Sequence, residues 1–138
     1  MIDVQAHVEA FAAAMAAAGV RLYDSGAGQK FDGSYETPVF PYAVAYFDAG
    51  LRSGVSVGNL QDERAEIDAE IYYVAKNPRS CRAIRSKGQS LIGAELAVDG
   101  RVVTVRSVFS DRVKPNQEDP RQALFEGRDG VTVDSLKA

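Results

Sequence analysis

Two segments of the chain repeat apolar residues at the spacing of an α-helix. Over residues 3–18 the apolar positions recur at steps of three and four, and the side chain of Asp3 can cap the first turn. Over residues 77–92 a narrower apolar stripe follows Asn77 and Pro78, which are typical of a helix start because a proline in the first turn needs no amide partner. The sequence therefore predicts two helices, one at each of these segments.

The other apolar segments have the patterns of β-strands. Residues 66–74 begin with alternating polar and apolar side chains, and residues 42–47 are continuously apolar, as in a strand that is covered on both faces. Asp99 and Gly100 lie between two apolar segments and predict a hairpin turn. The predicted strands are Val20–Tyr23, Tyr42–Phe47, Glu66–Val74, Leu96–Val98, Val102–Phe109 and Val131–Leu136.

This order of elements favours one α+β domain over residues 1–138. Two helices packed on one face of a mostly antiparallel sheet would bury both apolar stripes. Three polar or glycine-rich segments, residues 24–41, 48–60 and 110–122, are predicted as long loops. Loops of this length in a small domain commonly carry a function or are ordered by a partner, so we expect them to be interaction arms.

Composition and charge narrow the range of functions. The chain has 138 residues, 46% hydrophobic and 25% charged, which is the balance of a globular domain. Its net charge of -3 excludes a basic nucleic-acid-binding tail. No stretch has the length and apolarity of a membrane span, so no membrane partner is expected. A single cysteine and a single histidine exclude an internal disulfide and a histidine-rich metal site.

Two charged patterns are the candidate functional surfaces. Glu66, Asp68 and Glu70 place carboxylates on one face of a predicted strand, about 6.6 Å apart by strand geometry. Such a row could hold a divalent cation or supply an acid and a base. The more common interpretation of such a row is a solvated outer face. An unscreened row of like charges is costly, which favours a cation or arginines opposite it.

The second pattern is basic: Arg79, Arg82 and Arg85 recur at every third position of the second predicted helix. This pattern can bind phosphate groups, or it can be the water-facing side of an amphipathic helix. A third interpretation joins the two patterns. Opposite charges on two faces of one small domain suit head-to-tail packing of subunits, which closes into a ring where the rotation allows.

The sequence contains no recognisable catalytic constellation. Cys81 lies on the apolar stripe of the second helix, which predicts a buried structural thiol, and His7 is expected at the surface or boundary of the first helix. No GxSxG motif supports a nucleophilic serine. We therefore predict no enzymatic activity, no catalytic residues, no cofactor and no metal site.

Four segments follow one another in the order and spacing of a family of phage proteins. They are the helix Asp3–Ala18, the segment FPYAVAY at Phe40–Tyr46, the acidic strand Glu66–Val74 with the helix Asn77–Ile92 after it, and the hairpin LAVDGR at Leu96–Arg101 followed by Val102–Val108. Over residues 1–109 the chain resembles the tail terminator (tail completion) proteins of bacteriophages with long, non-contractile tails, especially phages of actinobacterial hosts. It departs from them at Phe125–Leu136, which is rich in Gly and Asp where the family often has an aromatic-rich strand.

The resemblance implies a structural role in the tail or neck of a virion that is assembled in the cytoplasm of the bacterial host. Proteins of this family form a hexameric ring on the head-proximal end of the tail tube, stop tube polymerisation and join the tail to the head connector. The implied partners are further copies of the chain, the tail-tube protein and the connector or stopper protein. DNA passes through the lumen without sequence-specific binding.

The resemblance also suggests positions for the charged residues in such a ring. Carboxylates that face the lumen would repel the phosphates of passing DNA. The residues expected there are Asp62, Glu63, Glu66, Asp68 and Glu70, and those expected at the subunit interface are Arg79, Arg82 and Arg85.

Two alternatives remain open from the sequence. A stopper or adaptor ring of the head–tail connector is also small and of mixed α/β structure, and it would bind the portal-side adaptor rather than the tail tube. A more distant alternative is a small metal-dependent enzyme that uses Glu66, Asp68 and Glu70.

Overall fold

A six-stranded sheet with two helices on one face makes up the described part of the chain. The computed structural model describes residues 3–48, 64–116 and 124–138. In chain order the elements are α1 (Val4–Ala17), β1 (Leu22–Asp24), β2 (Tyr42–Phe47), β3 (Arg64–Ala75), α2 (Pro78–Gln89), β4 (Glu95–Leu96), β5 (Arg101–Pro115) and β6 (Phe125–Lys137). The strand order is β1-β2-β3-β6-β5-β4, and only β1 and β2 are parallel. The predicted α+β class and mostly antiparallel sheet are confirmed.

Both helices begin where the sequence predicts them. The carboxylate of Asp3 accepts a hydrogen bond from the amide of Ala6 at 3.0 Å, and the side chain of Asn77 accepts one from the amide of Ser80 at 2.8 Å. The second helix ends at Gln89, earlier than predicted, because the amides that follow bond to carbonyls three residues back in a series of turns.

Both helices bury their apolar stripes against the same face of the sheet. Phe11 and Met15 of α1 and Cys81 and Ile84 of α2 share one buried cluster with alternate residues of β3 and β6. Cys81 is a buried thiol, as predicted, and burial raises its pKa. We call the opposite side of the sheet the open face.

Residues 25–41 connect β1 to β2 without a strand of their own, close to the predicted loop, and cover one end of the open face. Tyr23 of β1 donates a hydrogen bond to Glu36 of this segment at 2.8 Å. The cluster beneath it contains Tyr23, Tyr42, Val44 and Val74, with Phe40 and Leu124 packed against them. The predicted loop at 48–60 lies outside the described residues apart from Asp48.

The predicted hairpin turn is confirmed, but its first strand is shorter. Gly100 has φ +73° and lies in the turn, and β4 pairs with β5 from Leu96 opposite Val103. The strand β4 is two residues long and begins at Glu95, so the predicted Leu96–Val98 strand is wrong beyond its first residue. Residues 97–100 form the connection from β4 to β5, so they do not pair with β5.

The prediction of a loop at residues 110–122 is wrong for its first part. Strand β5 continues to Pro115 and pairs with β6, which begins at Phe125 instead of residue 131. The polar residues of this part of β5 suggested a loop, but most of them are exposed, and an exposed strand near a sheet edge accommodates polar side chains. Residues 117–123 lie outside the described part of the chain.

Gly130 of β6, which lies just before the predicted strand Val131–Leu136, is required by packing. A Cβ at Gly130 would overlap the ring of Phe109 on the neighbouring strand. That ring lies where β5 has a register shift between Ser107 and Phe109. A glycine in a strand often marks such a close approach, so Gly130 is compatible with the strand because it leaves room for Phe109.

Replacing Gly88 of α2 by alanine should destabilise the protein. An added Cβ would overlap the phenol of the buried Tyr73, so α2 would have to move off the sheet. We expect a loss of about 1–3 kcal/mol in the free energy of unfolding, measured in urea, because overpacking outweighs the better helix propensity of alanine. Ser86→Ala, at an exposed position of the same helix, should change it by less than about 0.5 kcal/mol.

Tyr73 should contribute to alkaline unfolding. Burial raises the pKa of its phenol above the ordinary 10.0, and the nearby Asp129 carboxylate raises it further. The folded chain therefore holds this proton more tightly than the unfolded chain, so stability is lost as the pH rises above 10.0. In Tyr73→Phe the free energy of unfolding should fall less steeply with pH than in the wild type, by up to about 1.4 kcal/mol per pH unit. A variant with the wild-type decline would contradict this, and Tyr35→Phe, at an exposed position, should retain that decline.

Candidate functional site

The acidic row, Glu66, Asp68 and Glu70, lies on the open face of β3, as the alternation predicts. Each of these residues is half-buried, and the residues between them point into the core. Because β6 runs antiparallel beside β3, its alternate residues lie next to the row on the same face. The surroundings of the row are therefore determined largely by β6 and by β5 beyond it.

Two arginines form ion pairs with Glu66 of the acidic row, and a threonine donates a hydrogen bond to Asp68. Arg106 of β5 lies 3.8 Å from the carboxylate of Glu66 and 3.0 Å from that of Asp134, and its hydrogen bond to Asp134 raises the pKa of the guanidinium. Arg64 is 3.5 Å from Glu66. Asp68 accepts a hydrogen bond from Thr132 at 2.8 Å. The structure thus contains arginines beside the row, whereas the residues directly opposite it on β6 are Asp134, Thr132 and Gly130.

Glu70 has a weaker ion pair than Glu66. Its carboxylate is 4.0 Å from Nη1 of Arg128, whereas Nη2 of Arg128 is 2.8 Å from Asp111. The hydroxyl of Tyr72 donates a hydrogen bond to Glu70 at 3.2 Å, and the Glu70 side chain is 46% exposed. The negative charge that remains available on the row is thus greatest at its Glu70 end.

The row is not arranged as a metal centre. Within residues 3–48, 64–116 and 124–138, no group of three or more His, Cys, Asp or Glu side chains could hold a metal ion. The metal-dependent alternative therefore gains no support from this geometry. The other two acidic residues predicted to face a lumen, Asp62 and Glu63, lie outside the described residues.

The prediction that three arginines of α2 share one surface is wrong for Arg85. Arg79 and Arg82 are exposed, but Arg85 is only 9% exposed. A step of three residues falls about 60° short of a full helical turn, so the third arginine has rotated towards the sheet. The neighbouring core position Ile84 was the sequence signal that could have shown this.

Arg85 forms a buried ion pair with Asp129 of β6. Its Nε and Nη2 donate to Asp129 Oδ1 at 3.0 and 2.5 Å, and Nη2 also donates to Ser110 of β5 and to the carbonyl of Arg128. Gln89 donates to the other oxygen of Asp129 at 3.1 Å. Sequence reasoning missed Asp129, because its residue type gives no sign of burial when the course of β6 is unknown.

His7 is buried rather than at the helix surface, which corrects the sequence prediction. Its Nδ1 donates a hydrogen bond to the carbonyl of Asp3 at 2.6 Å, and its Nε2 is hydrogen-bonded to the Ser135 hydroxyl at 2.8 Å. Arg101 of β5 also donates to Ser135. Although this pairing resembles a serine–histidine dyad, Ser135 is 0% exposed, so its hydroxyl is not accessible to a substrate. The network instead ties α1 to β5 and β6.

The open face also carries exposed aromatic surface. Tyr46 of β2, which pairs with Glu70, is exposed and packs edge-to-face on Tyr72 with ring centroids 5.5 Å apart. An open cleft of about 440 Å³ between Tyr46 and the exposed Val108 is lined in part by Asp68 and Glu70. Tyrosine and arginine are the residue types that are enriched at protein interfaces.

In the described part of the chain, neither helix is long and apolar enough to span a membrane.

Comparisons with known proteins show the fold of the chain. No protein-family model and no curated protein matches it. One solved structure matches with a TM-score of 0.65 at 15% identity, over 100% of this chain and 99% of the other. A chain from the virion of a native gene transfer agent (GTA) particle matches with a TM-score of 0.51 at 14% identity, over 93% of this chain and 84% of the other.

Removing the charge of Asp129 should destabilise the protein strongly. Asp129→Asn would leave the guanidinium of Arg85 buried without its counter-ion, and we expect a loss of about 3 kcal/mol in the free energy of unfolding. The control is Asp111→Asn, which breaks the exposed pair with Arg128 and should cost at most about 1 kcal/mol. Equal losses for both variants in urea denaturation would contradict this account.

Proposed function

We propose that the protein is a structural protein of a phage-like virion that forms a ring on the head-proximal end of a tail tube and ends tube growth. The observation that carries this proposal is the fold that the chain shares, over 93% of its length, with a chain of the GTA virion. The four segments that resemble tail terminator proteins support the same role independently of that likeness.

The described surfaces are consistent with assembly rather than chemistry. The open face presents tyrosines, arginines and carboxylates without a metal-binding group in the described residues, and the one serine–histidine pair in this part of the chain is buried. The connection at residues 25–41 exposes Tyr35 and Val39 beside the sheet. In a ring, such exposed segments are suited to contacts with neighbouring rings. The proposed partners are further copies of the chain, the tail tube and the head connector.

The lumen of the ring is proposed to be acidic overall. A net charge of -3 per subunit would repel the phosphates of passing DNA. Within the described residues, Glu66 is already compensated by Arg64 and Arg106, so its contribution to that repulsion would be small. Of the arginines proposed for the subunit interface, Arg79 and Arg82 remain candidates and Arg85 does not, because it is buried against Asp129.

Deleting the gene from the phage or prophage that encodes it should give overlong tails that are separate from DNA-filled heads. A tube without its terminator continues to add subunits, and its end cannot join the connector. Negative-stain electron microscopy of the particles measures tail length and attachment, and the wild-type gene supplied in trans is the control that should restore joined tails of normal length.

The other outcomes of this experiment assign other roles. Heads that leak DNA, beside tails of normal length, would contradict the terminator and identify a stopper of the head–tail connector. Normal infectious particles would contradict every structural role in the virion.

A further inference from the structure

We propose that the basic face of α2, formed by Arg79, Arg82 and Lys87, docks on the acidic row of a second copy of this chain. Subunits would then associate head to tail. This inference rests on the proposed function and names the contact surface that a ring of these subunits would use. It also assigns the acidic row to a subunit interface instead of the lumen.

The basic face is a group of exposed cations that have no carboxylate counter-ion in the described part of the chain. Arg79, Arg82 and Lys87 are all exposed, and α2 (Pro78–Gln89) contains no acidic residue. Within the described residues, none of the three has an ion pair with a carboxylate, whereas Arg85 on the same helix has one. The three positions cover about 12 Å along the helix axis, at 1.5 Å per residue, and an arc of about 140° around it.

The acidic row matches the basic face in length, and its Glu70 end retains negative charge. From Glu66 to Glu70 the strand rises about 13 Å. Glu70 is 46% exposed, and Arg128, which lies 4.0 Å from it, is closer to Asp111 at 2.8 Å. Beside Glu70, the exposed ring of Tyr46 offers an apolar and aromatic surface on which the stem and the guanidinium of an incoming arginine can pack.

The two surfaces lie on opposite sides of the subunit. Helix α2 packs on the covered face of the sheet through Cys81 and Ile84, and its basic side points away from the sheet. The acidic row lies on the open face. A subunit therefore cannot pair these surfaces within itself. A contact between two different patches is heterologous, and it closes into a ring or continues as a filament according to the rotation between subunits.

A second copy of the chain fits the basic face better than nucleic acid does. The chain as a whole has a net charge of -3, which disfavours binding to phosphate backbones. The acidic surface of matching length is present in every copy at the same concentration as the basic one. Both observations point to self-association.

Sedimentation equilibrium of the full chain at low salt, up to about 1 mM, tests this contact. We expect reversible self-association that weakens as salt is added. Arg82→Glu and Glu70→Arg should each weaken it about tenfold or more, because each variant places like charges opposite one another. The variant that carries both substitutions should regain most of the affinity, since the pair is restored with its charges exchanged. Glu9→Arg, the same change of charge at an exposed position of α1, should associate as the wild type does.

Several results would overturn the inference. They are a wild-type chain that stays monomeric over this range, an Arg82→Glu variant that is folded and associates normally, and a double variant as weak as the single ones. Retained self-association together with loss of binding to a fluorescent DNA duplex in Arg82→Glu would assign the basic face to nucleic acid instead. The gene deletion is independent of all these results, so overlong tails with an unaffected Arg82→Glu variant would leave the proposed function standing and remove only this interface.

Discussion

The central position of β6 determines both surfaces of the molecule. This strand pairs with β3 on one side and with β5 on the other, so its alternate residues point to the two faces of the sheet. Asp129 points to the covered face and holds Arg85 of α2. Arg128 and Asp134 point to the open face, where they take part in the ion pairs around the acidic row. The anchoring of a helix and the charge of the opposite face therefore depend on one strand.

The buried ion pair fixes which side of α2 faces the solvent. A charged pair removed from water is costly unless its hydrogen bonds are satisfied, and here Ser110 and Gln89 complete the bonding of Arg85 and Asp129. This geometry constrains the rotation of the helix about its axis. The glycine at position 88 permits the same close approach, because it leaves room for Tyr73. The direction in which the basic face points is thus a consequence of packing on the other side of the helix.

The sequence correctly predicted those elements that are determined by residues close together in the chain. The helix caps at Asp3 and Asn77, the alternation of β3 and the turn at Gly100 are specified by neighbouring residues, and the structure has them. The long β5–β6 pairing was missed because its stability comes from contacts between distant segments, and polar residues and Gly130 gave the opposite local signal. The burial of His7, Arg85 and Asp129 was missed for the same reason: each is paired with a residue that is remote in sequence.

The arginines that compensate the acidic row leave it suited to short-range contacts. A row of bare carboxylates would hold a cation or repel DNA at a distance, since such effects depend on uncancelled charge. With Arg64 and Arg106 beside it, the Glu66 end of the row has little field beyond its immediate surroundings. The groups that are still available on this face act only on a molecule in contact with it. They are the half-exposed carboxylate of Glu70 and the exposed ring of Tyr46. Such a surface discriminates between partners that touch it, which is what the ordered assembly of a ring requires.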